Sequence, residues 1–375
     1  MNHIPKLSPP NVSVGGPVID SSGFPTTAFG NDRFESSNLR DKLNRPIHDL
    51  RISIIDRCNF RCTYCMPEKE YSEHYQFLKK EEWLNFNEIF RLTKLFVSIG
   101  VLKVRLTGGE PLLRPGLPDL INRLSKIPQI EDLALTTNGS LLRQQAQALK
   151  DAGLRRLTVS LDTLDEEIFY AMSGNLGSVA EVLEGIKEAQ RVGFKKIKIN
   201  VVIQKGINDH TVLDLVKYFK GTGHIIRFIE YMDVGNCNHW KSEFVVPSSE
   251  IVQRINQVFP LKAVQANYSG EVALRYEYLD GSGEIGFISS VTQPFCGTCS
   301  RARLSTDGKI YTCLFAGQGT DLRSPLRNGA SDEELLQIIT NVWKKREDRY
   351  SEDRFRLSIS EKKSLRKVEM FQIGG

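Results

Sequence analysis

Between residues 50 and 231 the chain alternates short apolar strands with amphipathic helices, and this alternation limits the folds open to it. Six strand-like stretches occur, at 50–55, 102–107, 132–137, 156–161, 196–203 and 225–231. A helical pattern lies between each stretch and the next, and alternating strands and helices indicate a parallel sheet. A closed barrel of this type has eight units. The sequence therefore predicts an α/β fold built as a partial (β/α)6 barrel.

The sequence on either side of this repeat has a different character. Residues 1–45 are rich in Pro, Gly, Ser and Asn without periodicity, which predicts a disordered extension. The barrel core is assigned to residues 46–245. After it, β-like stretches at 273–279 and 284–288 precede a helix around 332–345. Residues 246–375 are therefore expected to form a smaller α+β region packed across the mouth of the barrel.

Composition narrows the class of protein and its compartment. The 375 residues are 40% hydrophobic and 25% charged, which is typical of a soluble globular protein. No run of 18 apolar residues and no signal-peptide core occur, so we expect a cytoplasmic protein that does not contact membranes. The net charge of +5 suits an anionic small molecule and gives no reason to expect nucleic acid.

Six of the seven cysteines form two groups of three, one near each end of the chain. The first triad is Cys58, Cys62 and Cys65, and the second triad is Cys296, Cys299 and Cys313. A structural zinc site takes four protein ligands, whereas a [4Fe–4S] cluster on three cysteines keeps one iron open for a small molecule. The alternatives for the first triad are a zinc site completed by a distant ligand such as His74, or plain buried cysteines. The alternative for the second triad is a zinc knuckle. Cys237 stands alone, and we assign it no ligand role.

The spacing CxxxCxΦC, with Φ aromatic, after strand one and the run Gly-Gly-Glu-Pro after strand two resemble the radical S-adenosylmethionine (SAM) superfamily. The resemblance implies that the open iron binds SAM, whose reductive cleavage gives a radical that abstracts a substrate hydrogen. On the residues alone, the two glycines also suit a tight turn, Ser160 a strand-end hydroxyl and Met232 core packing. The resemblance assigns SAM contacts to Tyr64, Gly108, Gly109, Glu110, Ser160 and Met232.

Further motifs, including PFCGTCSRARLSTDGKIYTCLF and the terminal Gly-Gly, resemble the GTP 3′,8-cyclase family of molybdenum cofactor biosynthesis over residues 46–375. The resemblance implies a lyase with two [4Fe–4S] clusters and SAM as cofactors. Its substrate would be GTP and its product 3′,8-cyclo-7,8-dihydro-GTP, formed by attack of a ribose radical on C8 of the guanine, then reduction and protonation. The implied partners are an electron donor protein, a downstream cyclic pyranopterin monophosphate synthase and a second copy of the chain in a homodimer.

The same resemblance assigns the substrate-binding residues. They are Arg51, Arg105, Thr136, Lys198, Arg301, Ala302 and Arg303. A triphosphate needs guanidinium and ammonium groups, and a basic side chain on a buried strand needs an anionic partner. Lys196 shares a strand face with Lys198 by period two, so one of the two could instead be solvated.

The resemblance also implies roles for Arg227 and for the chain terminus. Arg227 is implied to support activity near SAM, although an ion pair with Glu230 is an alternative reading. The tail Gly374-Gly375 is implied to insert toward the active site and to be required for activity. Two other functions stay open at this point: a twin-cluster radical SAM enzyme acting on a peptide, and a zinc-binding interaction module.

Overall fold

The computed structural model describes residues 39–357 and 366–375, and its framework is one mixed sheet of twelve strands. In spatial order the strands run β12-β11-β10-β1-β2-β3-β4-β5-β6-β9-β8-β7. In chain order they are β1 (Asp49–Ser53), β2 (Lys103–Thr107), β3 (Asp132–Thr137), β4 (Arg156–Ser160), β5 (Lys198–Ile203), β6 (Ile225–Glu230), β7 (Leu261–Val264), β8 (Leu274–Tyr278), β9 (Glu284–Ile288), β10 (Arg301–Leu304), β11 (Lys309–Tyr311) and β12 (Thr320–Asp321).

Helices connect the parallel strands and cover the outer face of the sheet. The α-helices of the described residues are α1 (Phe86–Ser98), α2 (Leu117–Ser125), α3 (Leu142–Asp151), α4 (Glu166–Met172), α5 (Val179–Arg191), α6 (Val212–Phe219), α7 (Ser248–Val258), α8 (Arg323–Arg327), α9 (Asp332–Lys344), α10 (Tyr350–Asp353) and α11 (Met370–Ile373). Ser178 caps α5, because its side chain accepts a hydrogen bond from the backbone N–H of Glu181.

The six predicted strand–helix units and the α/β class are confirmed. Strands β1 to β6 are neighbours in the sheet, and each pairs in parallel with the next. Apolar side chains such as Ile52, Leu106 and Val201 are fully buried between the sheet and the helices. Burial of one strand face against helices explains why apolar residues alternate along these strands.

The region after residue 245 continues the same sheet at both edges. β9 pairs in parallel with β6, and β10 pairs in parallel with β1. The remaining pairs of this region are antiparallel. Residues 289–300 therefore run from one edge strand of the barrel to the other. The expected packing of residues 246–375 across the barrel mouth stays a prediction.

This crossing places the two cysteine triads at opposite ends of one strand. The first triad follows the carboxyl end of β1. Cys296 and Cys299 precede β10, whose first residue Arg301 is in register with Asp49 at the amino end of β1. Cys313 follows β11, which runs antiparallel to β10. A strand of five residues is about 16 Å long. The triads therefore flank the two ends of a space about as deep as β1.

The segment just before β1 is ordered against the C-terminal region. Leu39, Asp41 and Arg45 are buried, and the Trp343 indole N–H donates to the Arg45 carbonyl at 3.1 Å. Residues 1–38, most of the predicted disordered extension, lie outside the described residues. The described part therefore begins seven residues ahead of the expected core boundary at 46. None of the described helices is long and apolar enough to span a membrane.

Candidate active site

A cavity of about 330 Å³ occupies the interior of the barrel, between the two cysteine triads. Inward-facing residues of β1 to β6 line it, because alternate residues of a strand point to the same face. All six cysteines of the triads line it as well. Tertiary folding therefore brings together two groups that are more than 230 residues apart in the chain.

The first triad lies on the loop after β1. The backbone N–H groups of Cys65 and Met66 both donate to the Cys62 carbonyl, at 3.0 and 2.9 Å, which folds the loop tightly. The Cys58 sulfur accepts from the Phe60 N–H at 3.4 Å. Burial, followed by the charge of Glu110, raises the pKa of Cys58 to about 12. Burial also raises the pKa of Cys62 and of Cys65, so these thiols become thiolates only beside a strong cation.

The second triad has basic neighbours at one of its thiols. The Cys299 sulfur accepts from Arg301 Nη2 at 3.1 Å and from Arg346 Nη2 at 3.2 Å. Burial alone would raise the pKa of Cys299, but Arg301 and then Arg346 bring it down to about 6. Burial raises the pKa of Cys313 to about 12. At neutral pH the second triad therefore already holds one thiolate.

The position of His74 does not support a zinc site completed by this residue. His74, the candidate fourth zinc ligand, does not line the cavity, and its side chain is 88% exposed. Within residues 39–357 and 366–375, no three His, Cys, Asp or Glu side chains are grouped closely enough to hold one metal ion. A cubane cluster needs no such convergence, because each thiolate binds a different iron. Hydrogen bonds to sulfur, as at Cys58 and Cys299, are a common feature of cluster sites.

The glycines after β2 allow two loops to approach closely. The Gly109 N–H donates to the Ile55 carbonyl at 2.7 Å, and a Cβ on Gly109 would lie 2.1 Å from the Arg57 carbonyl oxygen. Only glycine permits this contact between the loop after β2 and the loop of the first triad. A Cβ on Gly108 would likewise lie 2.4 Å from the Ile55 oxygen.

The carboxylate of Glu110, a candidate SAM contact, is engaged by the protein itself. It accepts hydrogen bonds from the Leu112 N–H, the Thr137 hydroxyl and the Asn138 N–H at 3.0, 2.7 and 2.7 Å. Burial raises its pKa to about 7. Glu110 therefore ties the ends of β2 and β3 together at the edge of the cavity.

The other three candidate SAM contacts also line the cavity. The Tyr64 hydroxyl donates to Asp162 at 2.7 Å, and burial raises the pKa of Asp162 to about 6. Met232 packs against a small apolar cluster beside the cavity. Ser160 makes no side-chain hydrogen bond to any described residue, so its hydroxyl is available to a ligand.

Three arginines form a row across neighbouring strands. Arg303 on β10, Arg51 on β1 and Arg105 on β2 are in direct register. Burial first, and then the charges of Arg303 and Arg105, lower the pKa of Arg51 well below its usual value. The Arg51 side chain donates no hydrogen bond to any described residue. Like charges directly opposite one another destabilise a sheet, so this row favours an anionic ligand.

Two more basic side chains face the row from β5 and β6. Burial first, and then Arg227 and other arginines, lowers the pKa of Lys198 to about 6. Burial and Arg105 lower the pKa of Arg227 to about 10. Neither side chain forms an ion pair within 4 Å among the described residues, although Glu271 raises the pKa of both to a smaller extent. Lys196, by contrast, is exposed, has a φ of 51° and precedes β5, so it does not share the inner face.

The alternative ion pair between Arg227 and Glu230 does not form. The two residues are three positions apart and therefore face opposite sides of β6. Glu230 accepts from the backbone N–H groups of Ser248, Val291 and Thr292, each at 2.9 Å.

The remaining substrate candidates divide between the two faces of the sheet. Arg105 donates to the hydroxyls of Thr136 and Thr158 at 2.9 and 3.0 Å inside the cavity. Arg301 also lines the cavity. Ala302 lies between two inward-facing arginines on β10, so its methyl group points into the hydrophobic core and is fully buried. Only the backbone of Ala302 is left for a ligand.

The C-terminal tail reaches the cavity. Arg303 donates to the Gly374 carbonyl, and Gly375 lines the cavity. Gly374 has a φ of 75°, and a Cβ there would lie 2.1 Å from the Thr107 side chain. The tail is also fixed further back, because Asn236 Nδ2 donates to the Lys367 carbonyl at 2.6 Å.

Several cavity residues are not among those predicted from the sequence. Asn200 follows Lys198 by two positions on β5, and its buried side-chain oxygen accepts no hydrogen bond from the described residues. Its period-two spacing from Lys198 is a signal that could have identified it. Tyr268, Arg45 and Arg346 carry no such signal, because they come from loops and segments outside the barrel repeat.

The electrostatic balance of the whole lining is positive. Ten Lys and Arg side chains line the cavity against five Asp and Glu side chains. One of these acids is neutralised, because Asp132 pairs with Arg156. The cavity is therefore suited to a multiply charged anion.

Comparison with known proteins agrees with this geometry. Residues 52–219 match the family model of the radical SAM superfamily, and residues 224–352 match that of Molybdenum Cofactor Synthesis C. Streptococcus suis SuiB bound to S-adenosylmethionine shares the fold, with a TM-score of 0.55 at 16% identity over 78% of this chain and 68% of that one. Fold, cysteine triad and family model together define a radical SAM enzyme.

Curated relatives identify the family within that class. A GTP 3′,8-cyclase of Xanthomonas axonopodis pv. citri is 53% identical over 90% of this chain and 99% of its own length. A GTP 3′,8-cyclase of Acidothermus cellulolyticus is 49% identical with the same coverage. The chain belongs to the GTP 3′,8-cyclase family.

Proposed function

We propose that the protein converts GTP into 3′,8-cyclo-7,8-dihydro-GTP with the help of SAM, as a step of molybdenum cofactor biosynthesis. The observation that carries this proposal is the single cavity in which two cysteine triads flank a row of buried basic residues. The names of the curated relatives and the match to the molybdenum cofactor family model support the same reaction.

In this proposal the first triad, Cys58, Cys62 and Cys65, holds a [4Fe–4S] cluster next to SAM. When bound, this pair supplies the radical that removes the ribose 3′ hydrogen of GTP. The surrounding residues position SAM: Gly109 lets backbone approach closely, Ser160 offers a free hydroxyl, and Met232 packs beside the cavity. Tyr64 is held by Asp162 at 2.7 Å, so its position in the loop is fixed.

The second triad, Cys296, Cys299 and Cys313, holds a second [4Fe–4S] cluster whose open iron anchors the guanine. The thiolate of Cys299 is favoured by the guanidinium of Arg301, which donates to its sulfur. The two ends of the cavity are then assigned to different tasks. SAM lies at the carboxyl end of β1, and the purine lies toward the amino end.

The basic residues between the triads bind the triphosphate. Arg51, Lys198 and Arg227 form no ion pair among the described residues, and phosphate oxygens would supply an anionic partner. Arg105 is held by the hydroxyls of Thr136 and Thr158, so its guanidinium is already oriented. A substrate fixed at its purine and its phosphates has its ribose held between them. Such positioning supplies a large share of catalysis when the reacting centre is short-lived.

Two groups complete the site. Arg227 keeps a positive charge close to the reacting region, because its pKa of about 10 is well above neutral pH. The tail Gly374-Gly375, held by Arg303, narrows the cavity next to β2 and limits access of water. Both roles are proposed as catalytic support rather than as proton transfer.

We further propose the partners that this reaction needs. An electron donor protein reduces the first cluster, and a cyclic pyranopterin monophosphate synthase consumes the product. A homodimer is proposed for the assembly.

The test is an anaerobic assay with the reconstituted protein, GTP carrying deuterium at the ribose 3′ position, SAM and a chemical reductant. The expected result is a cyclised GTP isomer, separated by chromatography, together with 5′-deoxyadenosine that carries the deuterium. Cys58→Ala serves as the inactive control. Formation of 5′-deoxyadenosine without cyclised product, or without deuterium, would contradict the proposal.

A further inference from the structure

Two buried arginines outside the barrel repeat hold the backbone of the second triad. Arg45 Nη1 donates to the Cys296 carbonyl at 2.8 Å, and Arg346 Nη1 donates to the Cys299 carbonyl at 2.6 Å. Arg45 is 1% exposed and Arg346 4% exposed. Each of these two cysteines is therefore fixed through its main chain by its own guanidinium.

A buried carboxylate joins the two arginines. Asp41 accepts from Arg45 Nε at 2.5 Å and lies 3.4 Å from Arg346 Nη1. The carbonyl and carboxylate of Asp348 complete the arrangement, at 2.9 Å from Arg45 and 3.4 Å from Arg346. A buried guanidinium with several fixed acceptors has one orientation, so its remaining N–H groups point in a defined direction.

One of those remaining N–H groups contacts the second triad, and another has no partner. Arg346 Nη2 donates to the Cys299 sulfur at 3.2 Å. Arg45 Nη2 is buried and has no hydrogen-bond partner among the described residues, although Arg45 lines the same cavity as Cys296. A buried donor without an acceptor is costly, so an acceptor held by the triad would satisfy it.

We infer that Arg45 and Arg346, joined through Asp41, are positioning residues for a [4Fe–4S] cluster on the second triad. Arg346 donates to the Cys299 sulfur, and the free Nη2 of Arg45 would donate to a sulfide of the cluster. This inference rests on the proposed function, because it requires the second cluster. It also makes residues 41–45, which lie before both matched family models, part of the site.

Loss of the hydrogen bonds that Arg45 and Arg346 donate to the second triad has two expected effects. Removing a group that orients a metal ligand weakens metal binding by about 10- to 100-fold. Removing a hydrogen bond to cluster sulfur also lowers the reduction potential, because the extra electron on the reduced cluster is less well stabilised. A purely structural role for the arginines would produce neither effect on the second cluster alone.

The first experiment measures iron and acid-labile sulfide after anaerobic reconstitution. Arg45→Lys and Arg346→Lys keep the charge but lose the forked hydrogen bonding, and Cys296→Ala is the reference for loss of the second cluster. Iron is expected to fall from about eight to about four per chain in Cys296→Ala, since each cluster contains four, and to an intermediate value in the two lysine variants. Under limiting iron, the two lysine variants should lose the second cluster first.

Arg354→Lys is the matched control. Arg354 is fully buried, pairs with Asp233 at 2.8 Å and donates to the Ser290 carbonyl at 2.8 Å, but it does not contact the second triad. It therefore carries the same kind of buried network, and its variant should keep the iron content of the unaltered protein. A similar iron loss in Arg354→Lys would overturn the inference, because the effect would then follow from general destabilisation.

The second experiment uses a Cys58→Ala background, in which paramagnetic signals arise from the second triad alone. A potentiometric titration followed by electron paramagnetic resonance is expected to give a lower midpoint potential when Arg346→Lys is added. An unchanged potential together with unchanged iron content would refute the inference.

The iron measurements distinguish failure of the inference from failure of the proposed function. If Cys296→Ala loses half the iron and the arginine variants lose none, only the inference fails. If Cys296→Ala itself loses no iron, the second triad holds no cluster, and both fail. Iron loss in the cysteine and arginine variants, with Arg354→Lys unaffected, supports both.

Discussion

Lys198 is expected to take up a proton when GTP binds. Its side chain faces the cavity from β5, and its pKa is about 6 because of burial and then the nearby charges of Arg227, Arg156 and Arg105. No described acidic side chain forms an ion pair with it, and Glu271 raises its pKa less than burial and the arginines lower it. The free protein therefore holds Lys198 largely neutral at pH 7.5. A triphosphate beside the amine favours the ammonium form and raises the pKa in the complex.

The size and sign of the effect follow from these values. With a pKa near 6, roughly 3% of Lys198 is protonated at pH 7.5, so GTP binding should take up close to one proton. Because the pKa is higher in the complex than in the free protein, the contribution of Lys198 to affinity is complete below pH 6 and declines above it. The decline is at most about tenfold per pH unit, until the pH reaches the pKa of the complex.

The assay is titration calorimetry of GTP binding without SAM, under anaerobic conditions and between pH 5.5 and 8.5. Each pH is measured in two buffers of different ionisation heat, which gives the number of protons taken up. Lys198→Met should remove this uptake and weaken binding by about 1.5–3 kcal/mol at pH 5.5, or roughly 10- to 150-fold. The ionisation of GTP itself cancels in the difference between variant and unaltered protein.

Lys196→Met is the matched control, because Lys196 is exposed and lies outside β5. It should bind GTP with the proton uptake and affinity of the unaltered protein. Equal proton uptake in Lys198→Met and the unaltered protein would refute the reasoning. So would an equal loss in both lysine variants, since that would point to general surface charge.

Three further results are expected. Arg105→Ala should leave SAM cleavage intact but weaken GTP binding by about 1.5–3 kcal/mol, as a lost charged hydrogen bond does, and equal GTP affinity by calorimetry would contradict a phosphate-binding role. Gly374→Ala should lower kcat with little change in cluster content. The reason is that the φ at this position is 75° and a Cβ there would lie 2.1 Å from the Thr107 side chain. Full activity in steady-state kinetics would show that the tail is not held in this way. Cys58→Ala should abolish formation of 5′-deoxyadenosine, measured by chromatography, and retained cleavage would exclude the first triad as the SAM site.

The local sequence pattern was sufficient to predict much of the barrel. Apolar alternation predicts the six parallel strands, and the N-cap at Ser178 predicts the start of α5, because both depend on residues close in sequence. The same period-two rule also implies that Ala302, between Arg301 and Arg303, faces away from the cavity. Helix α4, with seven residues, is not predicted, since short helices rely on packing against the sheet more than on their own pattern. Helix α7 is not predicted either.

Only the backbone conformation shows which of the two lysines, Lys196 or Lys198, faces the cavity. Both fit one face of a strand by spacing, but the chain turns at Lys196, where φ is 51°, and β5 starts at Lys198. A sequence pattern gives the period of a strand and not its first residue. The local fold therefore decided which ammonium group is buried.

The sequence by itself determined two incomplete cysteine triads and a set of basic residues on predicted strands. Only the tertiary structure decided that the triads flank opposite ends of β1, that Arg303, Arg51 and Arg105 form one row, and that Arg45 and Arg346 hold the second triad. Strand order and register follow from burying the whole sheet, through contacts between residues far apart in the chain. No local pattern contains those contacts, so the cavity and its charge emerge only when the chain is folded.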